Sequence, residues 1–147
     1  MANTQAMCTS FLGEILTATH NFGTAPLRAV TTPDVFKAAL YLTSATINAS
    51  TTAYSASNEV SGTGYTAGGE TMTGVAISSS GYVAYANWNN VSWTASLTAR
   101  CALIYNVTQG NKSIAVLDFG SDKTSTGTFT ITMPANTATA ALIRSSN

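Results

Sequence analysis

Two apolar segments joined by a short polar turn constrain this chain most: ARCALIYNV (99–107) and SIAVLDFG (113–120), with TQGNK between them. In the first, Cys101, Leu103, Tyr105 and Val107 alternate with Arg100, Ala102, Ile104 and Asn106. In the second, Ile114 and Val116 alternate with Ala115, Leu117 and Phe119. Successive side chains of a strand project to opposite faces of its sheet. Segments that are apolar on both faces therefore suit the centre of a sheet covered on both sides. Gln109-Gly110-Asn111 supplies turn chemistry, since Gly and Asn accept positive φ at little cost. The remaining segments are expected to add strands around this hairpin.

Ahead of it, Phe11, Leu12, Ile15, Leu16, Thr19 and Phe22 recur at helical spacing, which predicts one amphipathic helix within 8–22, running to about Asn21. Glu14 falls near its positive end and His20 near its negative end, as the helix dipole favours. Gly23 is a plausible stop. A connection with Pro26 and Pro33 spans 24–34, and 35–42 reads as a strand with Phe36, Ala38, Leu40 and Leu42 on one face. The segment 43–69 is rich in Gly, Ser and Thr and weakly patterned; an ordered loop of that length is functional or an interface more often than not. Period-2 segments follow at 71–77, 82–86, 91–98, 128–133 and 139–144, with 120–127 as a polar turn. Short strands at such spacing predict an all-β single domain over 1–147, an antiparallel sandwich or barrel with one N-terminal α-helix; an antiparallel β-sandwich of jelly-roll-like type is the first choice.

Composition then bears on function. Charged residues make up only 8 % of the 147 residues, where about 25 % is typical. Six basic and six acidic residues give a formal net charge of +0. Soluble monomers usually keep away from neutrality, so such a surface suits a protein fixed in an assembly. Scattered Arg28, Lys37, Arg100, Lys112, Lys123 and Arg144 offer no basic patch, which argues against nucleic acid and against a membrane surface. No stretch has the length and apolarity of a membrane span, and no basic segment followed by an apolar run marks a secretory leader. The four sequons at Asn48, Asn90, Asn106 and Asn111 then follow from an Asn-, Ser- and Thr-rich composition. Cys8 and Cys101 are expected to be reduced and buried.

No set of residues carries chemistry, and no enzyme activity, cofactor or metal is expected. The lone histidine, His20, has no nucleophile elbow to serve. Asp118 and Asp122 flank a short polar stretch beside Lys123 and read as a turn with an ion pair; a Ca²⁺ site would need more oxygen ligands at set spacing. Two distant cysteines and one histidine make no zinc pattern. The run from Gly62 to Gly69 has the glycine content of a phosphate loop without its Lys-Ser/Thr ending. Trp93 lies on the apolar register of its strand, whereas Trp88, between Asn87 and Asn89, is the aromatic expected in an exposed contact, with stacking on a sugar ring as one use.

The segments 44–69, 99–106 and 116–134, together with the opening 8–22, resemble small structural proteins of tailed bacteriophages and prophages. The resemblance covers most of the chain and is weakest at 24–34. It implies a virion component made in the host cytoplasm, foremost a capsid cement or decoration protein bound to the major capsid protein. A neck or tail component and a virion-surface carbohydrate-binding module are the alternatives. Self-association as a dimer or trimer is expected from the neutral surface. Its contact residues are expected to be Phe11, Ile15 and His20 of the helix, Gly62, Gly64, Tyr65, Gly68 and Gly69 of the Gly-rich arm, and Trp88.

Overall fold

A computed structural model describes residues 3–16, 18–23 and 32–146. Within them the chain is all-β and antiparallel, sandwich-like, with one short helix. In chain order the elements are β1 (Ala6–Met7), α1 (Thr9–Leu16), β2 (Phe36–Tyr41), β3 (Glu70–Thr71), β4 (Ala76–Ser80), β5 (Val83–Asn87), β6 (Val91–Trp93), β7 (Thr98–Asn106), β8 (Lys112–Thr124), β9 (Phe129–Ile131) and β10 (Ile143–Ser146). They form a five-stranded sheet in the order β1-β8-β7-β2-β3, a three-stranded sheet β10-β5-β4 and a pair β6-β9.

The β7–β8 hairpin lies at the centre of the large sheet, as its two apolar faces require. Cys101 to Asn106 are all buried, as are Ser113 to Leu117. Gly110 and Asn111 take positive φ (70° and 62°) where the chain reverses. Residues paired across strands share a face. Lys37–Tyr105, Ala39–Leu103 and Tyr41–Cys101 thus define one face, and Phe36–Asn106, Ala38–Ile104 and Leu40–Ala102 the other. On the second face, Phe36 meets Trp88 and Phe22 at ring separations of 5.4 and 4.8 Å.

The long segment 43–69 is not a free arm. It coats the first face, with Tyr54 stacked on Tyr105 at 4.8 Å and 18°. The Tyr41 hydroxyl donates to the Ser55 carbonyl (2.7 Å). Glu59 is the hub that fixes this segment. Its Oε2 accepts from the Tyr54 hydroxyl (2.7 Å), and its Oε1 accepts from the Tyr65 hydroxyl (2.6 Å) and the Gly68 N–H (2.8 Å). The Tyr65 oxygen in turn accepts the Leu40 N–H (2.9 Å), and the Tyr105 hydroxyl donates to the Gly68 carbonyl (2.7 Å). Gly69, at φ +72°, runs so close to β2 that a Cβ there would sit 1.9 Å from the Ala38 carbonyl oxygen. Only glycine permits that approach.

Several boundaries differ from expectation: 71–77 divides between β3 and β4, which belong to different sheets, and 91–98 is strand only as far as Trp93 before β7 begins at Thr98. The helix stops at Leu16, well short of Asn21. Ala18 adopts φ 54°, its N–H bonds to the Ile15 carbonyl (3.1 Å), and the Thr19 N–H bonds to the Glu14 carbonyl (3.0 Å). This is a Schellman stop with alanine in place of the usual glycine. Residues 120–124, expected as a turn, continue β8, because Thr124 and Lys123 pair with Thr98 and Ala99 of β7. The last strand begins at Ile143 rather than near 139. The connection 24–34 lies outside the described residues except for 32–34, as do the side chains of Leu12 and Leu16.

Candidate functional site

The folded chain brings α1 and the residues after it against the three-stranded sheet. Between them runs an apolar groove of about 210 Å³, lined by Phe11, Ile15, Phe22, Ile77, Tyr85 and Ile143, among others. Ile77, Ala86 and Ile143 stand in one row across β4, β5 and β10. Ile143 and Ala86 are buried, but Ile77 is 56 % exposed and Ile15 46 %. The helix is too short to cover the whole sheet face, so part of an apolar row stays open to solvent.

A polar network closes the groove at its His20 end. The Asn106 carboxamide is fixed in orientation, since its Oδ1 accepts the Gln109 N–H (3.2 Å) while its Nδ2 donates to Asp34 Oδ2 (2.7 Å). The same Nδ2 faces His20 Nδ1 at 2.9 Å, which assigns Nδ1 as acceptor and leaves Nε2–H to donate to Glu14 Oε2 (2.7 Å). Glu14 Oε1 accepts from Lys112 Nζ (2.7 Å). Burial pushes the Glu14 carboxyl up, but the Lys112 ammonium and His20 imidazole outweigh it and hold the group below its usual range. Asp34 also accepts the Asn21 N–H (2.9 Å) and Gln109 Nε2 (3.2 Å). Both His20 nitrogens are engaged and its side chain has no solvent exposure. The imidazole therefore has no lone pair or proton to offer a substrate. It staples the helix end to the β7–β8 turn.

The expected contact residues are scattered by the fold. Ile15 is exposed beside the groove, whereas Phe11 and His20 are buried beneath it. Gly62 and Gly64 are exposed, Tyr65 is half-buried, and Gly68 and Gly69 are buried against their own sheet. Trp88 corrects the sequence expectation: it is 4 % exposed, its ring 5.6 Å from Phe22 and 5.4 Å from Phe36. No face of its ring is available to a sugar. Ile77 and Tyr85, which complete the groove, escaped the sequence reading because their strands alternate like any half-buried pair.

Asp118 and Asp122 lie on β8, not in a turn. Asp118 Oδ1 accepts from Arg100 Nε (3.1 Å) and from the Gly120 N–H (3.0 Å). The Gly120 N–H and then Arg100 hold its carboxyl below the usual carboxylate range, against the opposing effect of burial. In place of the expected pairing with Lys123 in a turn, Asp118 pairs with Arg100 across the strands, while Lys123 Nζ donates to Ser121 Oγ (3.0 Å). Among the described residues no three His, Cys, Asp or Glu side chains gather as metal ligands. Cys8 and Cys101 are free and buried, and burial pushes both thiols up, Cys101 to about 12. Neither is a ready nucleophile at neutral pH.

Residues 71–99, which supply β4, β5 and β6, contain no Asp, Glu, Lys, Arg or His. The β4–β5 hairpin is the exposed part of this stretch: every residue of β4 is exposed, and Tyr82 at its tip is 84 % exposed. The exposed β4–β5 hairpin is therefore free of charge, and Arg144 of β10 is the charged residue of its three-stranded sheet. No family model, no curated protein and no solved structure matches this chain.

Proposed function

We propose that this chain is a non-catalytic virion structural protein of a tailed bacteriophage, a cement or decoration protein that binds the assembled head through the major capsid protein. The low charge of the chain and its exposed, uncharged β4–β5 hairpin carry this reading. A free protein gains solubility from surface charge, whereas a protein held between shell subunits has neighbours to satisfy its surface. The covered, hydrogen-bonded sheet makes a rigid block, and the resemblance of 44–69, 99–106 and 116–134 to phage structural proteins points to a virion. Many weak contacts repeated over a shell sum through multivalency, and a protein that binds only the assembled shell stabilises it by mass action.

Copy number tests the reading. Quantitative mass spectrometry of purified particles should find the chain at a level comparable to the major capsid protein. A far lower, tail-like level would favour the neck or tail reading, and absence from the particle would refute both. Heads lacking the protein should assemble but rupture at lower temperature; unchanged heads would reduce its role to decoration.

A further inference from the structure

Among the described residues the sheet edges are nearly all blunted. β1 and β3 are two residues long, β3 carries Glu70, β10 carries Arg144, β6 and β9 are three residues long, and the outer half of β8 holds Asp118, Asp122 and Lys123. Shortness and charge are the usual protections against edge-to-edge pairing. β4 has neither. It is five residues, AISSS, without charge or proline, and each residue is exposed. Its hairpin closes through a two-residue turn, with Ser80 paired to Val83, Ser78 to Tyr85 and Ala76 to Asn87. In an antiparallel hairpin of this register those residues bond inward to β5. The N–H and C=O groups of Ile77 and Ser79 then point outward, and no described residue bonds to them.

We propose that the β4 edge is a docking strand for a second copy of this chain, joining two three-stranded sheets into one six-stranded sheet. The edge is its own complement. Antiparallel pairing with full overlap sets Ile77 opposite Ser79 of the second copy and Ser78 opposite Ser78. This register forms four main-chain hydrogen bonds over about 17 Å of edge. The two Ile77 side chains become diagonal neighbours on the groove side, close enough to touch. No charge within 71–99 opposes the approach, and the formal net charge of +0 removes long-range repulsion. Among the described residues each copy has one such edge, so the contact is isologous and closes at a dimer. The interface falls on the hairpin rather than on the Gly62–Gly69 segment, whose Gly68 and Gly69 are buried against its own sheet. The proposal does not rest on the virion reading.

The full-length protein tests it by sedimentation equilibrium and by register-specific crosslinking. Ser79→Pro removes an outward N–H without touching the β5 ladder, a position where edge proline is tolerated. It deletes two of the four bonds and should weaken the dimer about tenfold or more; should circular dichroism show that it misfolds, Ser79→Lys serves instead. Ser78→Cys puts the new thiol opposite itself in a non-hydrogen-bonded pair, with Cα atoms about 4.5 Å apart, within disulfide range. Both native cysteines are buried, so mild oxidation should link this variant rapidly. Ala76→Cys, opposite Ser80 of the second copy, should link at least tenfold more slowly. A monomer at millimolar concentration, a dimer indifferent to both Ser79 variants, or equal crosslinking of the two cysteine variants would each overturn the proposal.

Discussion

Glu59→Ala tests whether one carboxylate holds the coat over the large sheet. The substitution takes the acceptor from the Tyr54 hydroxyl, the Tyr65 hydroxyl and the Gly68 N–H at once. A hydrogen bond contributes about 1 kcal/mol net, more to a charged acceptor and less where water can replace it. Glu59 is half-buried, so these corrections oppose each other, and three lost bonds amount to about 3 kcal/mol. For a chain of 147 residues that is a fall in Tm of roughly 6–12 °C. Glu59→Gln keeps a carbonyl oxygen for Tyr65 and Gly68 and should cost only about 1 kcal/mol. Chemical denaturation gives the free energies, and limited proteolysis should show cleavage moving into 43–69 in the alanine variant alone. Tyr54→Phe should cost less in the Glu59→Ala background than in the wild type, since the bond it removes is already gone. A loss below 1 kcal/mol, or full additivity of the two substitutions, would refute the hub.

Ala18→Gly should stabilise the protein by about 1 kcal/mol, because Ala18 sits at φ 54° where an L side chain is strained; a thermal melt that falls or stays level would contradict the Schellman stop. Trp88→Ala should destabilise by about 3–5 kcal/mol, whereas Trp88→Phe should cost far less, since the Trp88 Nε1 makes no hydrogen bond. Equal melts for Trp88→Ala and wild type would return Trp88 to the surface. Burial raises Tyr41, Tyr54 and Tyr65, and lifts Tyr105 to about 12 and Cys101 to about 12. Each group binds its proton more tightly in the fold than in the unfolded chain, so its contribution is intact below the unfolded value of about 9–10 and is lost as pH rises through the folded one. Tm should hold level to about pH 9 and then fall; an equal Tm at pH 8 and pH 11 would refute this.

The central hairpin was legible because it obeys one local rule along most of its length, period 2 with both faces apolar around a Gly-Asn turn; its register shifts between Ala99 and Cys101 and between Ile104 and Tyr105 leave no such mark. Phe129, Ile131 and Met133 face inward as their alternation requires. Illegible features depend on distant partners. The helix was read to about Asn21 because its apolar stripe continues to Phe22, but Phe22 packs on Phe36 from beyond the helix end. Trp88 sits between two asparagines, a surface signature, and only the approach of Phe22 and Phe36 buries it. His20 and Asp34 reach Asn106 across 86 and 72 residues. No window of sequence carries such a signal. Residues 120–124 look like a turn by composition, and the pairing of Lys123 and Thr124 with β7 makes them strand. Local polarity predicted exposure correctly there and secondary structure wrongly.

The scarcity of charge gains meaning from where the charges go. Of the six acids, Glu14 binds Lys112 and His20, Asp34 binds Asn21, Asn106 and Gln109, Glu59 binds Tyr54, Tyr65 and Gly68, and Asp118 binds Arg100. Each ties down a segment that the sheets alone would leave loose: the helix end, the chain entering β2, the 43–69 coat and the outer half of β8. Lys112 and Arg100 are used in the same way. Ionic groups thus serve internal order, where a charge-assisted hydrogen bond in partial burial is worth more than a solvated surface pair. The outer surface keeps a few exposed charges, Glu70, Asp122, Lys123 and Arg144, among hydroxyls, small residues and the bare β4 edge. Such a surface makes little use of charge as a means of staying apart from neighbours. That choice is costly for a freely diffusing monomer and favourable for a molecule whose outer strands and grooves are to be covered by other subunits.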